Sequence, residues 1–384
     1  MHIKPADRLA HFSEYYFSTK LREIRELEAQ GRPIISLGIG SPDLSPEPTV
    51  IEELQKVAEE RGVHGYQPYQ GLPELIAAVK GFYQSRFGLE WKEASVLPLM
   101  GSKEGITHIS LAYLNPGDQV LIPSLGYPTY SSVTKMVGAE PVYFPLLEEN
   151  DWKPDWEYLE NLDTFKIKLM WLNYPHMPTG TLASEDELAR YVSFAKERNI
   201  LIGYDNPYSF ILNSKPISIF NVEGAREVAV ELNSLSKTFN MAGWRIGWVM
   251  GSPNLIKPIL QIKSNMDSGM FKPLQLAAAK ALNLSDDWFY SLDHIYTIRK
   301  EITYKILDAL GCTYKKGQSG MFVWARVPSG DGEKMVQYLL DKYNVFVAPG
   351  FIFGEAGRQF IRLSLCVSSE KLTEVYHRIA SSAF

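Results

Sequence analysis

The sequence predicts an α/β fold, with a large, doubly wound and mostly parallel sheet followed by a smaller α+β unit. Three observations carry this expectation. Short apolar runs, QVLIP, AEPVYFP, IKLMWLNY, NILIGYD and VAVELNS, alternate with turn signals and helical patterns, and such alternation places helices on both faces of a parallel sheet. Polar residues able to do chemistry fall at the carboxyl ends of these runs, where the crevice of an open α/β sheet lies. From about Leu276 the pattern changes to helices and then to a hairpin signal.

In chain order, FSTKLREIRELEAQG reads as an amphipathic helix closed by Gly31, and the five apolar runs follow as strands, each leading into a turn or helix. Beyond Leu276, TYKKGQSGMFVWARV reads as a hairpin, Gly332 to Tyr343 as a helix, and NVFVAPG and FIRLSL as strands. The expected division is an N-terminal arm over 1–45, a large domain over 46–275 and a small C-terminal domain over 276–384.

With 384 residues, 45% of them hydrophobic, the chain is long enough for a large core and two domains. Its formal net charge of −5, without a basic run, argues against nucleic acid as a partner. The start, MHIKPADRLAHF, lacks the apolar stretch of a signal peptide, and no later segment supplies eighteen uninterrupted apolar residues, so no membrane association is expected. Cys312 and Cys366 are the only cysteines and fall in segments that read as core strands, which fits a reducing cytoplasm. No metal site is expected.

The most informative stretch is SLSKTFNMAGWRIGW. Ser234 and Ser236 supply hydroxyls, Arg245 a planar fork for phosphate oxygens, and Gly243 and Gly247 room for close backbone approach. Lys237, among these neighbours, is placed to have its pKa lowered, so that the neutral amine condenses with an aldehyde. A reactive lysine beside a phosphate cup points to pyridoxal 5′-phosphate, which works as an electron sink while its ring nitrogen stays protonated. That requires a carboxylate, and Asp205 stands at the carboxyl end of NILIGYD, with Asn206, Pro207 and Tyr208 after it. Tyr208 reaches the cofactor's phenolic oxygen if the chain turns at Pro207. Taken singly, Lys237 reads as a solvated loop cation and Asp205 as an Asx turn closing a strand; together they read as one site.

These motifs resemble, in order and across nearly the whole chain, the class I and II aminotransferases of the fold-type I pyridoxal-phosphate enzymes. The resemblance implies a seven-stranded sheet in the large domain, and an N-terminal segment that joins the small domain. It assigns Ser102 and Lys103 of GSKEGITH to the phosphate, at a helix N-terminus that is itself an anion site. It places Tyr127 of PSLGYPTY on the face of the cofactor ring, although the family's usual proline is Leu125 here. Tyr66 of HGYQPYQGLPELIAAV matches a tyrosine that reaches the phosphate in the neighbouring subunit, which implies a homodimer with shared sites. Gly40 of LGIGSPD and Arg362 of FIRLSL match the residues that hold the substrate carboxylate, and an arginine in an apolar strand does need an anionic partner.

One position departs from the pattern. The family carries asparagine before Pro-Thr-Gly, whereas NYPHMPTG has Met177, whose thioether donates no hydrogen bond. The phenolic oxygen is then left to Tyr208, or to a neighbour such as His176, while Asn173, four residues earlier, closes the preceding strand. The reaction implied is a ping-pong transfer of an amino group from an L-amino acid to a 2-oxo acid, 2-oxoglutarate by default, with Lys237 as nucleophile and then general base. GSKEG, IKSNMDSGMF and PGFIFGEAG are most similar to the branch holding diaminopimelate and alanine or methionine aminotransferases. Tyr15 and Tyr16 border the substrate pocket or pack at the domain seam. A carbon–sulfur β-lyase or a ring-forming synthase would use the same residues. A third alternative, an effector-sensing module of a transcription regulator, needs a DNA-binding segment for which the motifs starting at Gly40 leave no room.

Overall fold

The computed structural model describes residues 3–7, 9, 16–91, 93 and 95–381. Its centre is a seven-stranded sheet in the order Ser95–Leu99, Gly247–Gly251, Ala229–Ser234, Leu201–Asp205, Ile167–Asn173, Gln119–Pro123, Glu140–Phe144. Gly247–Gly251 runs antiparallel to both of its neighbours, and every other pair is parallel. The five apolar runs are five of these strands. The two at the end where Gly247–Gly251 lies were not recognised, because SVLPL carries a proline and GWVMG two glycines, both poor strand signals.

Alternation along the strands builds two cores. Leu97, Val120, Trp171 and Leu232 face one side, against Ile106 and Ile109 of the Ser102–Tyr113 helix and Ile256 and Ile259 of the Pro253–Ser264 helix. Val96, Leu121, Met170, Tyr204 and Trp248 face the other side, in a core that continues into the C-terminal region. Each such side chain, fully buried, contributes ~1.5–3 kcal/mol. Helix ends are specified locally: the Glu185–Arg198 helix begins with a capping box in which Ser184 and Glu187 satisfy each other's backbone amides.

The C-terminal region carries a four-stranded antiparallel sheet, Thr313–Tyr314, Phe322–Arg326, Phe360–Ser364, Ala348–Pro349, packed by the Asp286–Ala309, Gly332–Tyr343 and Ser369–Ala380 helices. The hairpin and the Gly332–Tyr343 helix match the reading of the sequence. NVFVAPG instead splits in two. Val345–Phe346 pairs in parallel with Ile35–Ser36, and only Ala348–Pro349 joins the sheet. The N-terminal segment, after its Tyr16–Ala29 helix, is thereby stitched to the C-terminal region, and Leu37 extends the stitch with its N–H on Phe346 O at 2.7 Å and its carbonyl on Ser364 N at 2.7 Å. Both cysteines are buried and unpaired, and they lie just outside strands rather than within them.

Candidate active site

A cavity of about 530 Å³ opens at the carboxyl ends of the parallel strands, between the large sheet and the C-terminal region. Gly40, Ser102, Lys103, Tyr127, Asp205, Tyr208, Ser234, Ser236, Lys237, Arg245 and Arg362 all line it, and Tyr66 does not. A second cleft, of about 500 Å³, holds none of them, and its lining includes the ion pairs Lys315 with Asp151 and Arg326 with Glu148.

Asp205 is the last residue of its strand and is buried. Its place is set by a chain of packing that begins at Gly203: a Cβ there would collide with the Trp171 indole across the strand pair. Trp171 thus lies flat, stacked on Tyr130 with centroids 5.1 Å apart, and the Tyr130 hydroxyl donates to Asp205 Oδ2 at 2.9 Å. Oδ1 has no hydrogen-bond partner. Burial pushes this carboxyl up to about 6, against the opposing pull of the Tyr130 hydrogen bond and of Lys237.

The turn after Asp205 is held from behind. Asn206 donates from its backbone to Leu232 O at 2.9 Å and from its side chain to Glu231 Oε1 at 3.1 Å. Glu231, fully buried on the neighbouring strand, also accepts from Tyr83 and Ser218 hydroxyls and from the Ile219 amide, and burial raises its carboxyl to about 7. Tyr208 follows on the cavity wall, with its phenol pushed up by burial. Neither Tyr130 nor Glu231 is singled out by the sequence: Tyr130 ends PSLGYPTY, in which Tyr127 takes the cofactor role, and Glu231 is one acidic residue inside the apolar run VAVELNS.

Lys237 donates from Nζ to Gly40 O at 2.5 Å. Burial lowers its pKa, the Arg362 and Arg245 charges lower it further, and Cys366 and Asp205 oppose. The Gly40 segment is anchored in turn by Asp43, which the buried Arg299 grips with two nitrogens at 2.7 and 2.9 Å.

At the other wall, Gly101 is the N-cap of the Ser102–Tyr113 helix with φ 81° and, having no side chain, leaves the first helix amides without a side-chain cap. A Cβ on Gly101 would collide with the Arg245 guanidinium, and one on Gly247 would sit 2.6 Å from Asn233 O and 3.1 Å from Ser102 N. Arg245, itself left-handed at φ 57°, donates to Ala242 O at 2.9 Å and Met100 O at 3.2 Å. Helix amides, serine hydroxyls and a guanidinium therefore converge on one spot, a cradle for an anion.

Arg362 is buried in the Phe360–Ser364 strand; its Nη2 donates to Gly38 O at 2.9 Å, and its Nη1 lies 3.2 Å from Met177 Sδ. Asn173 does close its strand, accepting from Met177 N at 2.9 Å and donating to Asp205 O at 2.7 Å, although it also borders the cavity. His176 does not reach it. Both ring nitrogens are engaged, with Leu125 O at 3.0 Å and Thr179 Oγ1 at 2.8 Å, and burial drops its pKa to about 4, so it stays neutral. Tyr16 turns its ring onto Phe351, centroids 5.5 Å apart, and it is Phe17 and Leu21 of that helix that line the cavity. Tyr15 lies outside the described residues. Tyr66 is 93% exposed and does not line the cavity of its own chain.

The family model for aminotransferase class I and II matches residues 32–379. The chain belongs to that family. Class I and II aminotransferases use pyridoxal 5′-phosphate to move an amino group between an amino acid and a 2-oxo acid, and so does this enzyme. Among curated proteins it is 37% identical over 385 residues to the LL-diaminopimelate aminotransferase of Nitratidesulfovibrio vulgaris, covering 99% of each chain. To that of Maridesulfovibrio salexigens it is 39% identical over 383 residues, covering 98% of this chain and 99% of the relative. Among solved structures, apo-BacF from Bacillus subtilis superposes with a TM-score of 0.94 at 36% identity, over 100% of this chain and 99% of that one. An aminotransferase from Staphylococcus aureus superposes with a TM-score of 0.88 at 29% identity, over 98% of both chains. The residues present fit the cofactor: Asp205 lines the cavity and has one buried carboxylate oxygen, Oδ1, without a donor, and the glycines at 101 and 247 keep the anion cradle open.

Proposed function

We propose that this aminotransferase runs a ping-pong transfer from an L-amino acid to a 2-oxo acid, 2-oxoglutarate by default, in amino-acid metabolism. The observation that carries this reading is the convergence of Lys237, Asp205 and Arg362 on one cavity. Bound pyridoxal phosphate supplies the electron sink that acidifies the substrate's α-C–H bond. The remaining work falls to the chain. Ser102, Lys103, Ser234, Ser236 and Arg245 hold the phosphate at the helix N-terminus. Asp205 keeps the ring nitrogen protonated, Tyr127 covers the ring face and Tyr208 donates to the phenolic oxygen. Gly40 and Arg362 hold the substrate carboxylate, and Arg362 supplies a two-pronged fork for it. Lys237 is the nucleophile and then the general base: desolvation lowers the pKa of Nζ, which favours the neutral form that accepts the α-proton. Parallel lines in double-reciprocal plots of rate against donor at fixed 2-oxoglutarate levels test the ping-pong order, and intersecting lines would sink it.

The working unit is a homodimer with shared sites. An exposed apolar surface supports this. Tyr66 at 93%, Met266 at 58%, Met100 at 53% and Phe271 at 44% exposure are linked through the Gln67–Gly269 bridge and through Lys263, which pairs with both Glu104 and Asp267. Mixing inactive Lys237→Ala with Tyr66→Ala subunits should restore one full site per hybrid; no gain on mixing would contradict shared sites. The 1–45, 46–275 and 276–384 division is retained, with the arm assigned to the small domain on the strength of the Ile35–Val345 pairing. A cytoplasmic location is supported by two buried thiols left unpaired. Among the described residues no helix is long and apolar enough to cross a membrane.

A further inference from the structure

The cavity has two chemically different ends. Near the helix N-terminus it presents Lys103 and Arg245, and near the sheet Asp205 and Lys237. Around Arg362 the lining is rich in apolar side chains, Phe17, Leu21, Ile39, Phe322 and Phe353, with Ser18 and Ser41 beside them in sequence. The Arg362 guanidinium lies 3.8 Å from the Phe322 centroid, 4.6 Å from Phe353 and 5.9 Å from Phe17, so aromatic rings surround the carboxylate clamp. Phe17 and Leu21 are four residues apart in the Tyr16–Ala29 helix and so share the face that meets the cavity. Ile39 precedes Gly40, whose carbonyl receives Lys237 Nζ, and this places the apolar wall beside the reacting carbon.

Resting on the amino-transfer reading, we propose that the preferred donor is an L-amino acid with a large apolar side chain, an aromatic ring best of all, and not one with a charged distal end. A donor held by its carboxylate on Arg362 and by its amino group at Lys237 has its side chain against this wall. A second carboxylate or ammonium there would lose water against the apolar side chains of Phe17, Leu21, Ile39, Phe322 and Phe353. An aromatic side chain would instead bury ~150–250 Å² of surface. The relatives named for LL-diaminopimelate act on a molecule with a second charged amino-acid end, so this chain departs from that name.

The test compares kcat/KM of the holoenzyme for L-phenylalanine, L-methionine and L-leucine with that for LL-2,6-diaminopimelate and L-aspartate, at fixed 2-oxoglutarate. The apolar donors should lead, L-phenylalanine by on the order of a hundredfold. Leu21→Arg should lower the L-phenylalanine value roughly tenfold and raise that for L-aspartate, by placing a cation on the wall. Diaminopimelate or aspartate leading in the unaltered enzyme would overturn this inference alone, as would a Leu21→Arg enzyme unchanged toward both donors. No oxo acid from any donor would overturn the amino-transfer reading and this inference with it.

Discussion

Replacing Asp205 with asparagine should stabilise the cofactor-stripped protein while destroying its function. In the folded chain the Asp205 carboxyl rises from 3.8 to about 6 because it is buried with one oxygen unpartnered. A group whose folded pKa is raised favours folding fully below its unfolded pKa, and that contribution is lost as pH climbs through the folded value. The whole rise, at about 1.4 kcal/mol per unit, corresponds to about 3 kcal/mol. The neutral amide removes the buried charge and keeps an oxygen for the Tyr130 hydroxyl. Its stability advantage should therefore be smaller at pH 5 and grow to about 3 kcal/mol at pH 8. Urea unfolding of stripped wild-type and Asp205→Asn proteins, at several pH values in that interval, measures it. An advantage that is absent, or that does not grow with pH, would refute the claim that Asp205 is an unpartnered charge awaiting a donor.

Lys237→Ala should lose the visible absorbance of the bound cofactor and all turnover; retention of both would move the reactive amine to another lysine. Met177→Asn should bring a side-chain donor next to Arg362 and, by the family's arrangement, to the phenolic oxygen, so the pH at which the visible band of the bound cofactor changes should fall by about one unit. An unchanged titration would place residue 177 away from that oxygen. Gly101→Ala puts a Cβ into the Arg245 guanidinium at a left-handed position and should weaken cofactor affinity by roughly tenfold or more, read by titration of the stripped protein.

Much of this site was legible because its chemistry is written in short stretches. Lys237, Arg245 and the serines sit within a dozen residues, and Asp205 closes an apolar run whose direction fixes where its side chain goes. What escaped was packing that only the folded sheet brings together. Gly203, Trp171, Tyr130 and Asp205 come from three segments and meet through strand register and ring stacking. Glu231 gathers donors from residues 83, 206, 218 and 219, a spacing no local motif encodes. Tyr16 and Phe17 differ by one position, and only the rotation of their helix decides that Phe17 meets the cavity. His176 was offered a role by its neighbourhood in sequence, but the fold commits both of its nitrogens elsewhere.

The most direct test of the amino-transfer account is a single turnover without acceptor, in which the holoenzyme is mixed with an excess of L-phenylalanine and the 2-oxo acid is counted. The account predicts one 2-oxo acid per subunit, after which the reaction stops until 2-oxoglutarate is added. Continuous release of ammonia with an oxo acid, with no acceptor present, would contradict it and point to elimination chemistry on the same fold.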